Sequence, residues 1–344
     1  MNKVEELGDR EQAVLQAIVK EYITTGGPIG SSQLARRPDF DLSPATMRNV
    51  MADLEELGLL EKPHTSAGRV PTDRGYRFYV DTLLNLRDPT LKDRELIEQG
   101  LKSDNGVEET LQDASKLLHF ITRHAGVVLA PRPSASLFHR IELIRLKENR
   151  ILAVLVSQSG QVKNKVFTAD FPIDGDELVS ASNYLTELLT RAPFEEVRGK
   201  IISEMETERA LYSQMISKSL RLGYAATHSI ASDRVMIEGA GSFLETPEFA
   251  DFERARSLFR ALEEKTKLLS LLDQVQRANE MQIYIGTESE FSSAGDVTVI
   301  ATPYGTADHV LGTIGVIGPT RMNYQRVIPL VNFTAQVLSK ILQQ

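Results

Sequence analysis

Ser43-Pro44-Ala45-Thr46-Met47-Arg48-Asn49-Val50-Met51-Ala52-Asp53-Leu54-Glu55-Glu56-Leu57-Gly58-Leu59-Leu60-Glu61-Lys62-Pro63-His64-Thr65-Ser66-Ala67-Gly68-Arg69-Val70-Pro71-Thr72 reads as one helix followed by two short extended runs. Ser43 can cap the free amides of the first turn, and Pro44 sits at the first helical position, where no amide is needed. Gly58 closes the helix. Successive helical residues lie about 100° apart, which puts Met47, Val50, Met51, Leu54 and Leu57 on one face. Ala45, Asn49 and Ala52 point the other way, with Arg48 beside them. That outward face is small and polar, so it can approach a nucleic-acid groove closely. Alanine methyls can meet a thymine methyl, Asn can pair with adenine, and Arg can pair with guanine. The runs 59–63 and 69–71 flank a turn at 64–68 and predict a two-stranded wing. Gly68 is expected to take a positive φ, holding Arg69 near the wing tip.

Upstream, Asp9 is expected to cap a first helix, with Gln12 completing a box-like pattern and Val14, Leu15, Ile18, Val19 and Tyr22 at helical spacing. Thr24 to Pro28 ends it. A short second helix follows, capped by Ser31 or Ser32, burying Leu34 and Ala35 and stopping at Pro38. Downstream, Thr72 or Asp73 caps a fourth helix with Tyr76, Tyr79, Val80 and Leu83 buried and Arg74, Arg77 and Asp81 wet.

A chain of 344 residues is long enough for two or three domains. Its apolar runs are strand-sized, none reaching the roughly 18 to 20 residues that cross a bilayer, and the N-terminus is polar and acidic. A cytoplasmic location with no membrane contact is therefore expected. The absence of cysteine excludes disulfides, thiolate nucleophiles and cysteine-ligated zinc. The net charge of −8 argues against a broad basic footprint, and residues 1–88 carry 11 Lys plus Arg against 14 Asp plus Glu. A smaller patch is present nonetheless: Lys62, Arg69, Arg74 and Arg77 face Asp73 alone between positions 62 and 77.

Beyond Asp88 the chain turns polar up to Asn105, as a linking helix or connector would. An amphipathic helix over 111–124 precedes β-branched runs at 126–129, 137–146, 150–157 and 162–169. Residues 174–225 are helical in pattern, 235–238 a short strand and 247–272 helical again. Strands at 281–285, 297–303 and 311–317 and a helix over 324–342 close the chain. A sheet interrupted by about 100 largely helical residues and then resumed reads as one sensor-like α/β domain carrying an insertion.

No phosphate loop, metal cluster or nucleophile elbow stands in its required form, so neither an enzyme nor a cofactor or metal is expected. Gly239-Ala240-Gly241 lacks a third glycine. Gly312, Gly315 and Gly318 suit close backbone packing, and His119 and His124, five apart, suit structural roles better than a metal.

The stretch quoted first, extended through Gly75-Tyr76-Arg77, resembles the signature of the HrcA family of heat-inducible repressors over some 35 positions. Met47 stands where family members often have isoleucine, an apolar exchange on the buried face. The resemblance implies an α+β multidomain fold. Its parts are an N-terminal winged helix-turn-helix over 1–88, a GAF-like α/β sheet domain over 89–172 and 275–344, and an inserted, mostly helical dimerisation domain over 173–274. It also implies repression of chaperone operons through an inverted-repeat operator in double-stranded DNA, bound as a homodimer and released on heat stress, with the chaperonin GroEL keeping the repressor active. The alternative is a regulator whose GAF-like domain binds a small-molecule effector. The DNA-contact candidates are Arg36, Ser43, Ala45, Thr46, Arg48, Asn49 and Ala52 on the helices, His64, Thr65, Ser66 and Arg69 in the wing, and Arg74 and Arg77 beyond it. The apolar stripe Leu178, Tyr184, Leu185 and Leu188 is expected to pair the two copies.

Overall fold

The computed structural model describes residues 7–63, 68–101, 106–131, 138–147, 149–157, 162–191, 197, 201, 218–226, 234–246, 249–288, 297–306 and 309–343. The protein is a mixed α+β chain with antiparallel sheets. It divides into two compact units, one formed by Met1–Val128 with Ile237–Gln344, the other by Leu129–Met236.

The first unit opens with α1 (Asp9–Thr25), α2 (Ser31–Leu34) and α3 (Pro44–Glu56), then the strands β1 (Leu60–Glu61) and β2 (Val70–Pro71), then α4 (Asp73–Phe78), which runs on as a wider turn over Tyr79–Leu83. α1 buries Val14, Leu15, Ala17, Ile18 and Val19, and Gly26 in the left-handed region ends it. Its N-cap is Gly8 rather than Asp9: the side chain of Gln12 reaches back to the carbonyl of Leu7 at 2.8 Å, so the chain is fixed there without a carboxylate cap. Likewise Gly30, not Ser31 or Ser32, caps α2, with no side-chain cap bond. α3 does start at the Ser43 cap, whose Oγ accepts from the Thr46 amide at 3.1 Å. It buries Met47, Val50, Met51 and Leu54, while Leu57 is only partly covered. Thr72 caps α4: its Oγ1 accepts from the Gly75 amide at 3.0 Å and donates to the Gly58 carbonyl at 2.7 Å, tying the end of α3 to the start of α4.

Further along, α5 (Leu91–Gly100) and α6 (Val107–Thr122) lead into β3 (Ala125–Leu129). The second unit holds β4 (Phe138–Arg145), β5 (Arg150–Ser157), β6 (Val162–Thr168) and α7 (Gly175–Arg191). β4, β5 and β6 form their own antiparallel sheet, and Leu178, Ala181, Leu185 and Leu189 of α7 join Ile141, Leu143, Ile151, Ala153 and Leu155 in one core. By its contacts this unit spans Leu129–Met236. Burial alternates along β4 and β5, with Ile141, Leu143, Ile151, Ala153 and Leu155 on the covered face, although β5 is apolar on both faces from Ile151 to Val156.

Back in the first unit, β7 (Val235–Glu238) is followed by α8 (Phe252–Glu264), α9 (Thr266–Ala278), β8 (Gln282–Ile285), β9 (Val297–Gly305), β10 (Val310–Pro319) and α10 (Tyr324–Ile341). The larger sheet has the order β7-β3-β10-β9-β8, with β9 antiparallel to both β10 and β8. β10 is buried without alternation from Gly312 to Pro319, as a central strand covered on both faces must be. α6, α9 and α10 pack on it. Gly315 lets β10 lie close against β9, because a Cβ there would stand 2.2 Å from the Ile300 carbonyl oxygen. Gly239, at φ +75°, leaves room for the His119 ring. His119 Nδ1 lies 3.0 Å from the His124 carbonyl. Burial, reinforced by His119 nearby, lowers the pKa of His124 to about 4, so it is a neutral structural side chain.

Gly75 offers a direct check on how α4 seats against β1. A Cβ at this position would fall 2.1 Å from the Leu59 carbonyl oxygen, a backbone atom that cannot turn aside, whereas at Gly27 nothing lies within 4 Å. Gly75→Ala should lose about 1–3 kcal/mol of stability in chemical denaturation, and Gly27→Ala should change it by under about 0.5 kcal/mol.

Candidate nucleic-acid interface

The exposed side of α3 follows from its cap and its apolar stripe. With Met47, Val50, Met51 and Leu54 turned inward, Ala45, Arg48, Asn49 and Ala52 are all exposed, and Thr46 is half-covered. Ser43 and Thr46 share a hydroxyl contact of 2.9 Å at the helix start, which holds the first turn in place. The Arg48 side chain has no ion-pair or hydrogen-bond partner among the described residues, and the same holds for the side chains of the exposed Arg36 after α2 and Arg74 on α4. Arg37, by contrast, is held by Glu21 at 3.3 Å and Asp39 at 3.2 Å.

Two of the expected contact arginines have partners within the chain. The Arg69 side chain is only 12% exposed and lies 2.7 Å from Glu55 of α3. Its amide and carbonyl both pair with Ile29 at 2.9 Å, so Arg69 fastens β2 to the segment between α1 and α2 instead of projecting from a tip. Gly68 is glycine for the same reason, and not for a positive φ: a Cβ would stand 2.3 Å from the Ile29 carbonyl oxygen. Arg77 is also engaged. Nε donates to Glu288 at 2.9 Å, Nη1 meets Asp81 at 3.2 Å, and Nη2 reaches both Glu288 and the Ile283 carbonyl. The hydrogen bond to Glu288 holds its pKa above the ordinary arginine value. Lys62 lies 3.7 Å from Glu55. Of the local basic patch in the sequence, only Arg74 is left uncommitted among the described residues. His64, Thr65 and Ser66 lie outside the described residues.

Glu55 and Glu288 are the residues that sequence reasoning passed over. Glu55 follows the inward stripe of α3 and carried no sign that it would neutralise Arg69. Glu288 is 211 positions from its partner, beyond any periodicity. Among the described residues no group of three or more His, Cys, Asp or Glu could hold a metal, and no helix is long and apolar enough to cross a membrane.

Residues 108–328 match the family model described as HrcA protein C terminal domain. A heat-inducible transcription repressor HrcA from Anaeromyxobacter sp. (strain K) is 45% identical over 99% of this chain and 98% of its own. Another of the same name from Geobacter sulfurreducens is 43% identical over 98% and 99%. A crystal structure described as that of a hypothetical protein at 2.2 Å resolution has the same fold, with a TM-score of 0.60 at 23% identity over 98% of both chains. A capped helix with an open polar face, in a chain with such relatives, defines the class of transcription repressors. Within that class, the chain belongs to the HrcA family of heat-inducible repressors.

The two kinds of arginine should separate under mutation. Arg48→Ala should leave thermal stability nearly unchanged and remove about 1–3 kcal/mol of preference for operator over scrambled DNA. Arg69→Ala, which breaks a mostly buried charged contact, should cost about 1–3 kcal/mol of stability. Paired melting curves and binding titrations check both.

Proposed function

We propose that the chain represses heat-shock chaperone operons by binding an inverted-repeat operator as a homodimer. In this reading α1 to α4 with the β1–β2 hairpin are a winged helix-turn-helix, the five-stranded sheet with its helices is the GAF-like domain, and 129–236 is the inserted dimerisation unit. The observation that carries it is the outward face of α3: Arg48 and Asn49, exposed beside two alanines, on a helix whose start is fixed by a side-chain cap. Direct readout needs this combination of reaching polar groups and small neighbours. Arg36 and Arg74 supply phosphate contacts on either side. They fit a protein whose negative net charge leaves DNA affinity to a few uncommitted cations.

A single module of this size buries too little DNA for the roughly 10⁻⁸ M or tighter affinity of a specific repressor, which favours a two-fold dimer on two half-sites. The stripe on α7 does not pair the copies, since Leu178 and Leu185 are buried in the core of their own unit and Tyr184 and Leu188 pack against it. The outer side of that unit's sheet is better suited, with Ile144, Val162 and Val166 exposed. An effector-binding sheet domain is less favoured, because Val299, Ile300, Ala301, Ile314, Val316 and Ile317 are apolar and buried on both faces of β9 and β10, offering no polar groups to orient a ligand.

With no cysteine and no metal cluster among the described residues, heat can act through stability itself. A folded dimer only a few kcal/mol from unfolding loses its operator as temperature rises, and a chaperonin such as GroEL that refolds it couples repression to chaperonin supply.

Two experiments test the proposal. Arg36→Ala and Arg74→Ala should each reduce the log-log salt slope of operator binding by about 0.9, and an unchanged slope would remove that residue from the phosphate contacts. Operator binding should decay when purified protein is held near heat-shock temperature and return on adding chaperonin with ATP. Full binding after heating without chaperonin would refute the stability mechanism.

A further inference from the structure

α4 brings Asp73 and Arg77, one helical turn apart, onto the turn at Gly286–Glu288 that follows β8. Asp73 Oδ2 accepts from the Thr287 amide at 2.9 Å and from its hydroxyl at 3.0 Å. Arg77 engages both oxygens of Glu288 and the carbonyl of Ile283 on the edge strand β8. Glu288 is also held from within its own turn, where Oε2 accepts from the Ile285 amide at 2.8 Å. Gly286, at φ +53°, makes the approach possible: a Cβ there would sit 2.1 to 2.2 Å from the Asp73 carboxylate.

Behind these polar pairs the contact is aromatic. The Tyr76 ring, 2% exposed, stands 6.0 Å from that of Tyr324, which is fully buried. The Tyr324 hydroxyl is fixed by the Thr320 carbonyl at 2.7 Å and by Thr298 at 3.0 Å. Two further bonds come from the start of α10 and the residues before it: Arg321 donates to the Ile23 carbonyl at 3.0 Å, and Gln325 to the Asn85 carbonyl at 2.8 Å. A covalent connector would be enough to keep residues 7–83 attached. An aromatic centre flanked by bidentate and backbone-directed polar contacts does more, because such contacts are lost when either side rotates.

We infer that Arg77 and Glu288 are positioning residues: their pair, with Asp73 and Thr287 beside it, fixes the angle of the DNA-reading helices on the sheet domain and so sets which half-site spacing the repressor accepts. The inference rests on the two-fold, DNA-binding reading above. In a two-fold dimer the angle of each module sets the separation of the two recognition helices, and half-sites one helical turn or a multiple apart are read only when that separation matches. Arg77 is thereby assigned to spacing, and not to a phosphate.

The test uses the full chain and four DNAs: one half-site, the natural operator, and operators with two or five base pairs inserted at the centre. In Glu288→Ala the preference for natural spacing over the five-pair insertion should fall by roughly tenfold or more, while single half-site affinity stays within about twofold of wild type. Arg77→Lys, which keeps the charge but loses the fork, should fall between them. Glu288→Ala with the wild-type spacing preference would overturn the inference. So would a uniform loss in Arg77→Lys on every DNA including the half-site, which would make Arg77 a phosphate contact. Hydrogen exchange without DNA gives a second reading: the α4 amides should exchange about tenfold faster in Glu288→Ala, and unchanged exchange would show that the pair does not hold the joint. If the wild-type protein did not distinguish operator from scrambled DNA, the proposed function itself would fall, and the exchange result alone would judge the joint.

Discussion

The two 2.9 Å hydrogen bonds between Ile29 and Arg69, with the Arg69 guanidinium 2.7 Å from Glu55, hold three separate pieces of chain in one arrangement. They fasten the segment before α2 to β2, and β2 to the end of α3. The direction of the open face of α3 draws on that fastening, because the apolar stripe of α3 resists separation better than rotation. Gly68 and Gly75 belong to the same constraint, each replacing a side chain where a neighbouring carbonyl passes too close for one. The Thr72 hydroxyl extends it to α4 by bridging the Gly58 carbonyl and the Gly75 amide.

Charge follows the same division between framework and working surface. Lys62, Arg69 and Arg77 are each near a carboxylate, so they contribute little to the field a polyanion would feel. Arg36, Arg48 and Arg74 are exposed and uncommitted among the described residues, and they lie on α3 and the segments flanking it. On the proposed reading, a repressor with net charge −8 binds DNA at one place while repelling it elsewhere, which favours specific over diffuse association. The cost falls on stability, since each internal pair must hold a charge partly out of water, and such pairs tie mutation of the frame to loss of fold.

Much of this was legible in the residues. Ser43-Pro44 announced a capped helix, Gly58 its end and Thr72 or Asp73 the next start, of which Thr72 is the cap, because caps are local chemistry. The strands of both sheets fell close to where their β-branched runs stood, and the spacing of Gly315 and Gly318 foretold close packing. The misses share a cause. Gly8 and Gly30 took cap positions assigned to Asp9 and to Ser31 or Ser32, since a glycine leaves no side-chain signal. Arg69 and Arg77 look like any solvated arginine until Glu55 and Glu288 are placed beside them by the fold.

The claim on which the rest turns is that Arg48, held outward by this frame, reads a base edge. Replacing each guanine of a half-site in turn by 7-deazaguanine removes one acceptor without altering shape or charge, and binding is then measured for wild type and Arg48→Ala. At one position the substitution should cost the wild type about 1–3 kcal/mol and cost Arg48→Ala almost nothing further, since both changes remove the same contact. Additive losses at every guanine would contradict the assignment.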